Sequence, residues 1–124
     1  MDFTYKKNEK LKSKKAVDQI FTNGKSISAY PLRLVFVKNN TSLKVGVSVS
    51  KRNFKNAVHR NRIKRLLREA YRLNKSVLYD NQLTDYAFMI IYNHKDMPDF
   101  ELINEKTKKL FHKFIEQNRD VTNF

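Results

Sequence analysis

The 124-residue chain contains no cysteine, and only two glycines and two prolines. The missing thiol excludes a disulfide scaffold, a Cys-ligated zinc site and a cysteine nucleophile, and it fits a reducing compartment. Gly24 and Gly46 stand far apart, whereas a phosphate-cradling Walker loop or a dinucleotide fingerprint needs clustered glycines. Long apolar runs are lacking too. The longest, Tyr86 to Tyr92, falls well short of the ~20 residues that span a bilayer. The opening MDFTYKKNEK has basic residues with no apolar segment behind them, so no secretory signal is visible and a cytoplasmic location is expected. Acidic side chains are scarce: 12 Asp plus Glu face 26 Lys plus Arg, a net charge of +14.

That charge is unevenly placed. Residues 1–75 carry 20 basic and 4 acidic side chains, a net of +16; residues 76–124 carry 6 and 8, a net of −2. Excess charge gathered in one part of a chain makes a directed field and favours a polyanionic partner. Nucleic acid and an anionic membrane surface are the two candidates. The length fits a single domain over 1–124, and an apolar fraction of 40% supports one modest core. No repeat, linker or low-complexity segment interrupts it. Residues 1–12, polar and basic, are expected to form an irregular, flexible arm.

The hydrophobic spacing predicts a helix over 13–22, with Ala16, Val17, Ile20 and Phe21 on one side. Asn23-Gly24 is expected to end it in the left-handed conformation. Ser26–Ala29 reads as a short edge strand. Leu32–Val37 and Leu43–Val49 alternate as strands, and the turn-rich link 38–42 predicts that they pair as an antiparallel hairpin. The spacing puts Phe36 on the opposite face to Arg33 and Val35. A clear helix covers 57–74. Tyr86–Tyr92, apolar on both faces, reads as a central buried strand. Pro98-Asp99 opens a last helix whose buried stripe is Ile103, Thr107, Leu110, Phe111, Phe114 and Ile115. The order is α-β-β-β-α-β-α, an α+β fold with helices packed on an antiparallel or mixed sheet. Phe88, Phe100, Phe111 and Phe114 read as core.

Residues 51–72, KRNFKNAVHRNRIKRLLREAYR, hold nine basic side chains and one acid, Glu69. On a helix, Leu73, Leu66, Ala70, Leu67 and Tyr71 fall within about 80° of Ile63 and form an apolar stripe. Asn61, Arg62, Lys64, Arg65, Arg68 and Arg72 occupy the arc from about 100° to 260°. Solvated helix faces usually mix signs, since like charges at i,i+4 destabilise by about 0.2–0.5 kcal/mol per pair. Arg60, Lys64, Arg68 and Arg72 make an unbroken row of such pairs, which points to an anion that offsets them. The preponderance of Arg points to phosphate, which its planar fork binds bidentately. Ahead of the helix, Ser48, Ser50, Lys51, Arg52, Lys55 and Asn56 form a second patch suited to phosphate at a helix N-terminus.

Gly46-Val47-Ser48-Val49-Ser50-Lys51, followed by Asn56-Ala57-Val58-His59-Arg60-Asn61-Arg62-Ile63-Lys64-Arg65-Leu66-Leu67-Arg68-Glu69-Ala70, strongly resembles the signature of the bacterial ribonuclease P protein subunit. Arg60, Asn61 and Arg62 stand as its Arg-Asn-Arg motif. A weaker likeness runs through Ile20-Phe21-Thr22-Asn23-Gly24-Lys25-Ser26. The resemblance implies an α/β sandwich with a mixed four-stranded sheet and a left-handed βαβ crossover. It implies one small protein bound to a large catalytic RNA, which carries the active site. That RNA uses Mg²⁺ to remove the 5′ leader of precursor tRNA by hydrolysis. By position, Arg60, Arg62, Lys64, Arg65 and Arg68 would face the catalytic RNA, with Arg72 at the end of the same ridge and Asn61 near bound metal. Phe21, Arg33, Ser48, Ser50, Lys51, Arg52 and Asn56 would line or border a leader cleft. Val17 and Val35 stand where the family often has aromatics, which shifts leader binding toward Phe21 and Arg33. Lys55 replaces a family glycine, in a loop one residue longer.

No catalytic constellation appears within the chain. His59, His94 and His112 are isolated, with no HxxxH or HxH spacing, and no metal site is predicted. Asp99 reads as a helix cap rather than a metal ligand beside His94 and Asp96. The alternatives are another RNA-binding accessory protein, ribosome-associated and without a role in tRNA processing, or a membrane-surface helix that inserts its apolar stripe.

Overall fold

A computed structural model describes residues 5, 7–11, 14–39 and 42–122. Helix α1 (Lys14–Asn23) precedes strands β1 (Lys25–Ala29), β2 (Leu32–Lys38) and β3 (Lys44–Val49). The long helix α2 (Ala57–Asn74), the short α3 (Ser76–Asp80), strand β4 (Tyr86–Tyr92) and helix α4 (Phe100–Thr122) follow. The expected element order holds, with α3 as an addition. The strands form one mixed sheet in the order β1-β2-β4-β3. β2 is antiparallel to both of its neighbours, whereas β3 and β4 run parallel and are joined through α2 and α3.

The expected hairpin of residues 32–37 with 43–49 does not form. β4 lies between them, and β2 instead makes its hairpin with β1 through Tyr30-Pro31, whose peptide bond is cis. The reason lies in β4 itself. Ala87, Phe88, Met89, Ile90 and Tyr92 are all buried, so this strand has apolar side chains on both faces and takes the centre of the sheet. The link after β2 therefore crosses a gap one strand wide, about 10 Å, which a local turn pattern does not reveal.

Two helical layers cover the sheet. On one face Leu32, Leu34, Phe36, Val45, Phe88 and Ile90 pack with Ile63, Leu67 and Tyr71 of α2 and Ile103, Leu110, Phe111 and Phe114 of α4. The whole expected stripe of α4 is buried, including Thr107 and Ile115. Phe100, only partly buried, lies against the same core. On the opposite face α1 is held by far less: Ile20 is its one fully buried side chain, packed with Val35, Ala87 and Met89. Val17, Val37, Ile91 and Leu11 lie around this small cluster. The apolar stripe of α2 is spent on the core, although Leu73 at its edge is exposed.

Gly24 does not stop α1 by a left-handed turn, since no glycine here has positive φ. It is required by close approach. A Cβ at this position would lie 2.3 Å from the Ile20 carbonyl oxygen and 2.8 Å from Val35 Cγ1. The chain thus turns from α1 into β1 with backbone pressed against backbone.

The described part of the N-terminal arm is built into the fold, contrary to the expectation of a loose segment. Residues 7–9 form a single 3-10 turn, and Lys10 bridges Val45 in parallel along the outer edge of β3. The Leu11 N–H donates to the Val45 carbonyl at 3.0 Å, and the Tyr5 hydroxyl donates to the same oxygen. Glu9 is 3% exposed. Its Oε1 accepts from Lys75 Nζ at 2.9 Å, and its Oε2 accepts from the hydroxyls of Tyr71 and of Tyr79, the latter at 3.1 Å. The partners lie more than 60 residues away in sequence, so nothing local announces the arrangement.

Two stability predictions follow from this packing. Gly24→Ala is expected to lower stability by about 1–3 kcal/mol, the usual range for overpacking, read as a lower denaturant midpoint. The second concerns alkaline pH. Burial, the Glu9 charge and (for Tyr79) its hydrogen bond with Glu9 push the Tyr5 and Tyr79 phenols up to about 12, with Arg68 partly opposing at Tyr5. The same causes push Tyr71 upward. A group whose folded pKa is raised stabilises the fold below its unfolded value and loses that contribution as pH rises. The melting temperature is therefore expected to hold up to about pH 10 and then to fall toward pH 12, in step with phenolate absorbance. A melting temperature that stays flat through pH 12 would contradict this.

Candidate nucleic-acid interface

The basic segment folds as a loop followed by α2, and the loop is tied down from within. Asn56 is the N-cap of α2, its Oδ1 accepting from the Val58 N–H at 2.8 Å. Ser50 Oγ accepts from the Arg52 N–H at 3.2 Å, and the Phe54 N–H donates to the Ser50 carbonyl at 3.1 Å. Phe54 is buried against Tyr92. Arg60 turns back on this loop and donates to the carbonyls of Phe54 and Lys55 at 2.7 and 2.8 Å. Lys51, Arg52, Lys55 and Asn56 are left exposed along one lip.

The far end of the ridge is also satisfied internally. Arg72 Nε donates to Glu69 Oε2 at 3.2 Å, and its Nη2 donates to Oε1. The Arg72 hydrogen bond holds the Glu69 carboxyl below its ordinary pKa, against slight desolvation. The row of like charges is thus relieved at both ends by protein groups rather than left wholly to an outside anion. Between those ends Asn61, Arg62, Arg65 and Arg68 are exposed and Lys64 is half-buried. The open ridge is therefore narrower than the seven residues singled out from sequence, because Arg60 fastens the loop and Arg72 is paired.

The sheet face under α1 supplies a second surface. Strand register sets Ser28, Arg33, Ile91 and Ser48 in one row across all four strands. Ile91 belongs to the α1-side cluster, so Arg33 and Ser48 share that side, as the sequence spacing requires. Arg33 is exposed and Ser48 half-buried. The next row contains Ser26, Val35, Met89 and Gly46. Val35 is buried beneath α1, while Phe36 points into the other core. Phe21, on α1, is 53% exposed. Ser50, Lys51 and Arg52 continue directly from the end of β3.

A groove of about 470 Å³ opens between the arm, α1 and the edge of the sheet, lined by Tyr5, Lys10, Leu11, Val17, Gly46 and Arg68 among others. Gly46 matters here. A Cβ on it would lie 3.0 Å from Met89 Cε and 3.3 Å from Leu11 Cβ, so a side chain would crowd the floor. Arg68 therefore belongs to the groove as well as to the ridge, and joins the two surfaces. Tyr5, Lys10 and Leu11 were missed from sequence, since the arm carries no periodicity to show what it packs on.

His94 Nδ1 accepts from the Asp96 N–H at 3.0 Å, and Asp99 Oδ1 caps α4 by accepting from the Leu102 N–H at 2.9 Å. Among the described residues no three His, Cys, Asp or Glu side chains come together in a way that could hold a metal ion. Among them, too, no helix is long and apolar enough to cross a membrane.

Residues 5–115 match the family model described as Ribonuclease P. The chain belongs to the ribonuclease P protein family. The ribonuclease P protein component of Porphyromonas gingivalis strain W83 is 38% identical over 119 residues, covering 86% of this chain and 83% of that protein. That of Chlorobium phaeobacteroides is 33% identical over 126 residues, covering 86% and 85%. Among solved structures, the RNase P protein from Thermotoga maritima superposes with a TM-score of 0.71 at 27% identity, covering 85% of this chain and 96% of that one. The mixed sheet and its packed helices are those of ribonuclease P proteins.

The two classes of arginine on α2 are separable by experiment. Arg60→Ala is expected to lower stability by about 1.5–3 kcal/mol, because it removes charge-assisted bonds to two carbonyls. Arg62→Ala, at an exposed position, is expected to stay within about 0.5 kcal/mol of the parent. Chemical denaturation of the two variants side by side checks this.

Proposed function

We propose that the chain is the protein subunit of a ribonuclease P holoenzyme, acting in the cytoplasm, one copy per catalytic RNA. The open stretch of α2, Asn61 to Arg68, faces that RNA. The groove under α1 takes the single-stranded 5′ leader of precursor tRNA. The observation that carries this reading is the division of the cations. Arg60 and Arg72 have protein partners, whereas Arg62, Arg65 and Arg68 present guanidinium groups to solvent on one side of a rigid helix. Guanidinium forks match phosphate oxygens and desolvate more readily than ammonium, so such a ridge suits an RNA backbone. Outside the groove lining, exposed Arg33 on the same sheet face supplies charge and exposed Phe21 on α1 a face for stacking, worth about 1–3 kcal/mol per base. Ser48, Ser50, Lys51, Arg52 and Asn56 border the path.

Hydrolysis of the leader bond belongs to the RNA partner in this reading, and so does Mg²⁺. Mg²⁺ keeps water and takes phosphate oxygens with one or two carboxylates, whereas Asn61 offers only an exposed amide. The chain's own part is electrostatic and geometric: it neutralises phosphates, orders the leader and holds it near the tRNA junction.

The test is cleavage of precursor tRNA at low Mg²⁺ by the protein, the catalytic RNA and the two together. Cleavage by the mixture alone is expected, with Arg62→Ala and Arg65→Ala each weakening RNA binding. Each is also expected to reduce the salt slope of binding by about 1. A protein that adds nothing to the RNA would leave it an RNA-binding accessory of another kind, and cleavage by the protein alone would move the active site into the chain.

A further inference from the structure

Glu9 is the most deeply buried acid among the described residues, and it is walled off from any RNA. Both of its carboxylate oxygens are engaged, by Lys75 on one side and by two tyrosine hydroxyls on the other. A buried ion pair of this kind adds little net stability compared with apolar packing of the same volume. What it fixes is position. Along the edge of β3 the described arm residues make one parallel bridge, Lys10 to Val45, beside the hydrogen bonds that Leu11 and Tyr5 donate to the Val45 carbonyl. A slip of one residue there would exchange the two faces of the arm, turning Lys10 toward the sheet and Leu11 toward solvent. With Glu9 anchored, Leu11 closes over Gly46, Tyr5 sits edge-on to Tyr71 at 5.2 Å, and Lys10 Nζ lies 5.5 Å from the Tyr5 ring centre. These are the residues that wall the groove opposite Val17 and beside Arg68.

We propose that Glu9 is a positioning residue for single-stranded RNA: it locks the basic arm in register so that Lys10 and Arg68 flank one phosphate of the bound strand. This rests on the assignment of the groove to the leader. Glu9 itself touches no RNA. Its effect is preorganisation, because an arm already docked loses less freedom when the strand arrives.

The experiment uses the full chain assembled with its catalytic RNA. It compares leader-bearing precursor tRNA with mature tRNA, and it measures affinity for the catalytic RNA separately. Glu9→Gln keeps the side-chain shape and removes the charge. It is expected to weaken precursor tRNA binding about tenfold, the size of one lost charge-assisted contact. Mature tRNA and catalytic RNA affinities are expected to stay within about twofold, and exchange of the Leu11 amide to speed up. Lys10→Ala leaves the buried pair intact and so guards against a simple folding failure. It is expected to show the same leader-dependent loss with the Leu11 amide still protected. Equal loss on all three RNAs would mark Glu9 as merely structural and overturn the proposal. So would release of the Leu11 amide with no change in leader-dependent affinity, or a Lys10→Ala variant that binds precursor tRNA as the parent does. A parent protein with no preference for leader-bearing RNA would overturn the groove assignment and this proposal with it.

Discussion

The strand Tyr86–Tyr92 imposes the constraint from which the rest follows. With apolar side chains on both faces, it is stable only where both are covered, and that puts it between β2 and β3 with helices above and below. The coverage is unequal. α2 and α4 bury most of one face, whereas α1 reaches the other through Ile20 and a few half-buried neighbours. The unequal coverage leaves one side of the sheet partly open. A helix that packs through one side chain covers part of the sheet and leaves Arg33 exposed and Ser48 half-buried on that face.

The electrostatics follow a similar division of labour. Segment 51–72 has far more cations than it can pair, with Glu69 its one acid. The fold spends Arg60 on two loop carbonyls and Arg72 on Glu69, which steadies the two ends of α2. The cations between them have no such use and remain on the outer face of a helix whose inner face is locked in the core. A rigid ridge of arginines loses little freedom on meeting phosphate, which is why it serves an RNA surface better than the same charges on a loose segment would. Arg68 lies where this ridge meets the groove, so a strand in the groove and an RNA on the ridge would share one field.

Much of this was legible in the sequence because it depends on local periodicity. The two faces of α2, the buried stripe of α4 and the opposite facing of Val35 and Phe36 come from spacings of 3.6 or 2 residues, and the central place of Tyr86–Tyr92 from an unbroken apolar run. The motif around Arg60, Asn61 and Arg62 gave the family from a short contiguous stretch. The failures share a different cause. The strand pairing was misjudged because Lys38–Ser42 looks like a turn, while the strand that separates its flanks comes more than 40 residues later. Gly24 reads as a conformational stop, although a side chain there would meet the Ile20 carbonyl and also Val35 and Phe36 on the neighbouring strand. Arg60 and Arg72 looked like the other members of their row, since only the folded loop and the helix geometry show where their guanidinium groups go.

The residues alone narrowed the partner to a polyanion and determined the strands, the helices other than α3 and the face each of them buries, because net charge and amphipathic period are properties of contiguous chain. Tertiary structure decided which strands are neighbours, which arginines stay open, and that the N-terminal arm forms part of the groove wall. Those outcomes depend on pairs such as Glu9 with Lys75, Leu11 with Gly46 and Arg60 with Phe54. Their energies arise only when distant or turned-back segments are brought within hydrogen-bonding or van der Waals range, and no local pattern encodes that encounter.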